Sequence, residues 1–254
     1  MINEPFAIGS SIIHQLDPRI RVGFTTLYAF VVALSYHFSV LIAALVLPVI
    51  LVLISQVSIK DVFKRIGMVN ALIVLLWAIL PFTFHGDVLA RMGSLAIYRP
   101  GVTLAAQITL KSNAILLTFI ALMATMPFAT LGHALHRLGV PDKIVHLLLM
   151  TYRYIFVIEH EYLRLMRAAK IRGFRPGTNV NTYRTFAYVI GMLLVRSAAR
   201  AERVHQAMLC RGFKGKFYSL QEFQTGRAGW LFSIIMTVLI IGLIVMEVSK
   251  GTAF

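Results

Sequence analysis

The chain contains 254 residues, of which 58% are hydrophobic and 14% are charged. Its mean hydropathy of +0.78 excludes an ordinary soluble globular domain, and its single cysteine excludes an internal disulfide. The composition therefore predicts a polytopic membrane protein, and most of the formal net charge of +15 should lie outside the lipid.

Five stretches of low charge are long enough to cross a bilayer, since a spanning helix needs roughly 20 apolar residues. They lie at about residues 22–38, 39–57, 66–86, 102–126 and 228–246. A tight turn near His37 joins the first two, and Lys111 is the one strong charge inside a span. An intramembrane lysine is a candidate functional residue, so we expect Lys111 either to pair within the chain or to face a partner subunit.

Basic residues cluster on one side of the predicted membrane. Arg19 and Arg21 precede the first span, three basic residues follow the second span at positions 60–65, and residues 127–228 carry sixteen Lys or Arg against five Asp or Glu. The positive-inside rule places all three groups in the cytoplasm. The N-terminus and the basic middle region are therefore expected to be cytoplasmic.

The basic middle region shows helical patterns whose uncharged runs are too short to cross a bilayer. A short amphipathic helix around residues 130–138 ends before Pro141, a long helix runs from about 142 to 172, and a third runs from about 182 to 211. The sequence thus predicts an all-α membrane protein with about five transmembrane helices. Its three parts are residues 1–127 with membrane helices one to four, 128–227 with about three cytoplasmic amphipathic helices, and 228–254 with the last membrane helix and the tail.

One pattern, Ala-x-x-x-Arg-Gly-Phe, occurs twice, at residues 168–174 and 207–213, where the two long amphipathic helices are predicted to end. Glycine just past a helix end adopts a left-handed conformation without strain, and the next apolar residue can fold back on the last turn. Each arginine then lies near the negative end of the helix dipole. The simplest interpretation is a helix C-cap, although a cap does not require arginine and alanine at the same offsets.

The candidate site residues come from both copies and are Arg172, Gly173, Arg211 and Gly212 at the helix tips, with Ala168 and Ala207 four residues before the arginines. Alanine and arginine at this spacing share one helix face, and small residues let two helices approach closely. We therefore expect two crossing helices that pack near the alanines and present the two arginines from neighbouring tips.

With these motifs the chain resembles the transmembrane T components of energy-coupling-factor importers, and within that family the cobalt/nickel type. The resemblance extends to residues 151–155, which read Thr-Tyr-Arg-Tyr-Ile, and to residues 196–204, which read Arg-Ser-Ala-Ala-Arg-Ala-Glu-Arg-Val. The family hallmark is a pair of Ala-Arg-Gly or Ala-Arg-Ser triplets at the ends of two coupling helices. Ile171 and Cys210 replace the alanines here, so the resemblance assigns ATPase coupling to the arginine and the glycine of each copy.

The resemblance implies a non-catalytic scaffold in the cell membrane of a bacterium or archaeon. Two ABC ATPase subunits would bind ATP and dock on the two arginines. A substrate-binding membrane subunit would carry the cargo, and this chain would hold no cofactor. Cobalt or nickel is the cargo that the subfamily implies, and a T component serving a vitamin-binding subunit, or a stand-alone membrane carrier, remains an alternative.

Other chemistry has little support in the sequence. The histidines are scattered, with His133 and His136 alone sharing a helix face, so no metal site is expected. The sequence shows no activated nucleophile or paired acids for an enzyme, and no basic and aromatic surface for nucleic acid. Glu159, Glu161 and Glu202 lie beside arginines and are expected to pair the coupling helices with each other.

Overall fold

The described residues form helices and one antiparallel β-hairpin, which lies between the third and the fourth helix. The computed structural model describes residues 11, 13, 16–83, 87–92, 95–213 and 226–251. Side chains are described for all of these residues except 88–97 and 251. The described elements are, in chain order, α1 Pro18–Leu34, α2 Phe38–Ser55, α3 Ile59–Thr83, β1 Val88–Met92, β2 Leu95–Tyr98, α4 Arg99–Leu122, α5 Phe128–Arg137, α6 Asp142–Ile171, α7 Val180–Cys210 and α8 Arg227–Gly251.

In the described part of the chain, four helices, α2, α3, α4 and α8, are long and apolar enough to cross a membrane. The remaining predicted span corresponds to α1, whose 17 residues reach the lower end of the length that a spanning helix needs. The all-α membrane class predicted from the sequence is confirmed. The hairpin, in which Val88 pairs with Tyr98 and Met92 with Leu95, is an addition that the sequence analysis did not predict.

Helix α3 begins earlier than the sequence analysis predicted. Lys60, Lys64 and Arg65 lie in its first two turns rather than in a loop. Residues 59–66 contain no glycine or proline that would delay the helix, and Asp61 in the first turn complements the positive end of the helix dipole. The charged end of the helix therefore extends past its apolar segment.

The described residues divide into two compact units. One unit contains α1 to α5, the hairpin and α8, and the other contains α6 and α7. The predicted boundary at residue 128 grouped α5 with the amphipathic helices, whereas in the structure α5 packs on α1 within the first unit. Ala134 of α5 is fully buried there, in one cluster with Val22 and Met126.

Helices α1, α2, α4 and α8 supply the core of the first unit. Tyr28, Ile120 and Ile240 are at most 2% exposed, and the Tyr28 hydroxyl donates to the carbonyl of Ala44, which satisfies the polar end of a buried ring. Helix α3 packs on α4 but leaves apolar side chains such as Leu72 exposed. An outward apolar face is the expected surface of a helix whose solvent is lipid.

Arg21 lies in a different environment from the cytoplasmic loop predicted for it. Its side chain is inside the first unit and only 1% exposed. The Nε–H group donates to the Leu122 carbonyl at 2.9 Å, and an Nη group donates to the Thr125 hydroxyl at 2.5 Å. Leu122 ends α4, where carbonyls lack helical partners and the helix dipole is negative. Arg21 is therefore a buried cap of α4.

Lys111 pairs within the chain, which is one of the two possibilities that the sequence left open. Its Nζ donates to the Ala33 carbonyl at 2.8 Å and lies 4.5 Å from the centroid of the Tyr36 ring. The backbone N–H of Tyr36 in turn donates to Glu247 Oε1 at 2.7 Å. The lysine thus joins α4 to the turn between α1 and α2, and the turn is joined to α8.

Candidate coupling surface

The candidate site residues lie on α6 and α7, which form the second unit. Both helices have defined starts. Asp142 lies in the first turn of α6 after Pro141, and the Asn179 side chain accepts a hydrogen bond from the backbone N–H of Thr182 at 2.8 Å to cap α7. Residues 173–179, which include Pro176, separate the two helices and reverse the chain.

A cluster of ion pairs around Glu161 joins the middle of α6 to the middle of α7. The Glu161 carboxylate accepts a hydrogen bond from Arg196 and lies 4.0 Å from Arg200, both on α7, and 3.5 Å from Arg164 on its own helix. The hydrogen bond from Arg196 is the main cause that lowers the pKa of Glu161, and the three cationic charges add to it against the opposing effect of burial. The prediction that an acidic residue pairs the coupling helices is confirmed for Glu161.

Two aromatic contacts show that α6 and α7 run antiparallel. The ring of Phe174, just after α6, lies 5.9 Å from that of Phe186 near the start of α7 in an edge-to-face contact. The ring of Phe213, just after α7, lies 6.4 Å from that of His146 near the start of α6. The end of each helix therefore lies beside the beginning of the other.

This arrangement corrects the predicted position of the two arginines. Arg172 lies beside the start of α7, and Arg211 lies at its far end. From Phe186 to Arg211 the helix extends about 37 Å at roughly 1.5 Å per residue. The two tips are thus at opposite ends of the helix pair and not neighbours, because the two copies of the motif end two long antiparallel helices.

Both copies of the motif end their helix with the same backbone geometry. Gly173 has a φ of +85° and Gly212 has a φ of +79°. The Phe174 N–H donates to the Ala169 carbonyl at 3.1 Å, and the Phe213 N–H donates to the Met208 carbonyl at 3.0 Å. These are the hydrogen bonds of a Schellman C-cap.

A second pair of hydrogen bonds completes each cap. The Gly173 N–H donates to the Lys170 carbonyl at 3.0 Å, and the Gly212 N–H donates to the Leu209 carbonyl at 2.9 Å. No atom within 4 Å would meet a Cβ at Gly173 or Gly212, so the positive φ and not the available space requires glycine at both positions.

The two arginines occupy the C-cap positions and are exposed. Within the described part of the chain neither guanidinium has a hydrogen-bond or ion-pair partner. Ile171, which precedes Arg172, is 88% exposed, and Cys210 before Arg211 is also exposed. Each tip therefore presents, among the described residues, an unpaired cation on a well-defined helix end.

Ala168 and Ala207 do not form the contact between the two helices that the sequence analysis predicted. Both are exposed, and the contact runs through Glu161 near the middle of each helix. Ion pairs join α6 to α7 away from the helix ends, and the alanines lie nearer the tips. Sequence reasoning identified Glu161 but did not identify Arg196 and Arg200 as its partners, although their i, i+4 spacing places them on one face of α7.

The remaining candidates are the histidines. His133 and His136 are on α5 of the first unit, and among the described residues no group of three or more His, Cys, Asp or Glu side chains is arranged to hold a metal ion.

Comparison with known proteins identifies the family. Residues 9–222 match the family described as CbiQ, cobalt transport protein. The chain is 24% identical over 217 residues to the energy-coupling factor transporter transmembrane protein EcfT of Thermosediminibacter oceani, which covers 82% of each chain. It is 25% identical over 218 residues to the EcfT protein of Streptococcus equi, covering 82% of this chain and 81% of the relative.

A third relative is the cobalt transport protein CbiQ of Rhodobacter capsulatus, with 29% identity over 116 residues that cover 46% of this chain and 47% of the relative. The family match covers most of the sequence, including α1 to α7. The chain therefore belongs to the CbiQ family of cobalt transport proteins, a T component of an energy-coupling-factor transporter.

Proposed function

We propose that this chain is the scaffold that couples two ABC ATPase subunits to a substrate-binding membrane subunit. The observation that carries the proposal is the pair of identical helix caps, each presenting an exposed arginine without a partner in the described chain. Tips at opposite ends of one helix pair suit docking to two separate subunits. In this proposal α6, α7 and the N-terminus face the cytoplasm of a bacterial or archaeal cell.

Each docking contact is limited in strength. A charge-assisted hydrogen bond between an arginine and a carboxylate contributes about 1.5–3 kcal/mol, which corresponds to roughly 10- to 150-fold in affinity. One arginine alone would attach an ATPase weakly, whereas two contacts on one body also add avidity. Movement of the ATPases during ATP binding would displace both tips of the helix pair, and the ion cluster at Glu161 would transmit that movement between α6 and α7.

The ATPase subunits would bind ATP, and this chain would act without a catalytic residue or cofactor of its own. Arg172 and Arg211 would recognise acidic groups on the ATPases, and Gly173 and Gly212 would hold the arginines in place. The exposed apolar side chains of the membrane helices would contact lipid or the substrate-binding subunit.

The proposal is tested by replacing the arginines singly and together. Arg172→Ala and Arg211→Ala should each reduce co-purification with co-expressed ATPase subunits and ATP-dependent uptake, and the double variant should lose nearly all of both. Arg184→Ala changes another exposed arginine of α7 and should behave as wild type. Wild-type co-purification of the double variant would refute the coupling role.

Cobalt or nickel is the proposed cargo. Its support is the family description and the name of the Rhodobacter capsulatus relative, both of which specify cobalt transport. The names of the EcfT relatives specify no substrate, so a vitamin-binding partner is the second candidate. Uptake of radioactive cobalt and nickel by cells expressing the whole importer tests the first candidate, and identification of a co-purifying vitamin-binding subunit would favour the second.

A further inference from the structure

A cavity of about 770 Å³ opens beside Arg172 in the second unit, between the last turns of α6 and the first half of α7. Ala168 and Ala169 line it from α6, and Tyr188 and Met192 line it from α7. The small side chains of the two alanines leave this space free. Ala168 is exposed, so the cavity is open to the outside of the unit.

The cavity is lined by cationic, uncharged polar and apolar side chains. Arg172, Arg175 and Arg196 line it, and none of its described lining residues is acidic. Arg196 already donates to Glu161, whereas Arg172 and Arg175 have no ion-pair partner among the described residues. Two exposed guanidinium groups beside an open cavity are complementary to a carboxylate.

The apolar part of the wall narrows the choice of ligand further. Leu165 and Val189 line the cavity together with Met192, and Val189 is only 8% exposed. A free inorganic anion would leave these apolar groups without a contact. A protein segment that carries an acidic side chain next to an apolar one would satisfy both parts of the wall.

We propose that this cavity is a socket that receives a protruding segment of the ATPase subunit docking at Arg172, a segment bearing a carboxylate beside an apolar side chain. The inference rests on the function proposed above and adds a second element to it. Arg172 inserts into the ATPase subunit, and the protruding segment of the ATPase subunit inserts into the cavity. Each protein therefore holds a part of the other. The small side chain of Ala168, four residues before the arginine, then keeps the socket open.

The test fills the socket and leaves Arg172 unchanged. Ala168→Leu and Ala169→Leu place a larger side chain in the cavity, and each should weaken binding of the purified ATPase subunits to the full chain in nanodiscs by about tenfold. Ala168→Ser keeps the space and should bind as wild type. Ala199→Leu adds the same side chain at an exposed position of α7 outside the cavity and should also bind as wild type.

A second variant tests the charge of the socket independently of its space. Arg175→Gln should weaken binding severalfold at low salt, and the difference from wild type should shrink as salt rises. If the two leucine variants and the glutamine variant bind as wild type while Arg172→Ala loses binding, the arginine docks without a socket and this inference is overturned. If the double arginine variant keeps its ATPases, the coupling function itself is refuted.

Discussion

The positive φ angles of Gly173 and Gly212 lead to a prediction about how firmly the two tips are held. Replacing either glycine with alanine adds a Cβ that meets no atom within 4 Å, so the change creates no clash with the rest of the chain. The cost is that of placing a non-glycine residue in the left-handed region, about 1–2 kcal/mol. The capping hydrogen bonds should then open roughly 5- to 30-fold more often.

Hydrogen exchange measures this opening directly. The amides of Phe174 and Phe213 donate the outermost capping hydrogen bonds, so their exchange should accelerate by that factor in Gly173→Ala and Gly212→Ala respectively. Gly173→Asn should have a smaller effect, because asparagine tolerates the left-handed conformation better than alanine does. ATPase docking at the affected tip should weaken in the same order.

Gly191 provides the matched control for this experiment. It lies inside α7, has no positive φ and also has open space around its Cβ position. Gly191→Ala should therefore stabilise α7 by about 0.5–1 kcal/mol, since alanine is the better helix former. If Gly173→Ala leaves exchange at Phe174 unchanged, or stabilises the helix as Gly191→Ala should, the left-handed cap is not what holds the arginine in place.

Two further predictions concern charged groups inside the two units. Arg21→Met removes both hydrogen bonds of the buried guanidinium and should destabilise the first unit by about 1–3 kcal/mol in thermal unfolding, whereas Arg137→Met, at an exposed position of that unit, should have little effect. Equal effects of the two changes would contradict the capping role. Because the pKa of Glu161 is lowered, its contribution to the contact between α6 and α7 should be present above the ordinary glutamate value of about 4.3 and lost as the pH falls through the lower value in the folded protein. The distance between spin labels on α6 and α7 should therefore change at low pH in the wild type and stay constant in Glu161→Gln. A wild-type distance that does not depend on pH would refute this prediction.

Features that depend on local chemistry could be predicted from the amino-acid sequence alone. Long apolar runs specify membrane helices, because a bilayer requires them whatever their neighbours are. The two Arg-Gly-Phe segments specify helix ends, because glycine tolerates a positive φ and the capping hydrogen bonds reach only five residues back along the chain. Four of the five predicted spans correspond to helices long and apolar enough to cross a membrane, and both predicted helix ends occur at the residues expected.

The positions of the charged groups, in contrast, depend on contacts that form in the folded protein. Arg21 and Lys111 bond to carbonyls that are remote in the sequence, at Leu122 and Ala33, and no local pattern identifies those partners. The two long helices are antiparallel because the chain reverses between them and Glu161 contacts α7. Arg172 and Arg211 therefore lie at opposite ends of the helix pair. A repeat in the sequence specifies two similar tips, but the distance between them depends on how the helices pack, which is a property of contacts between residues far apart in the chain.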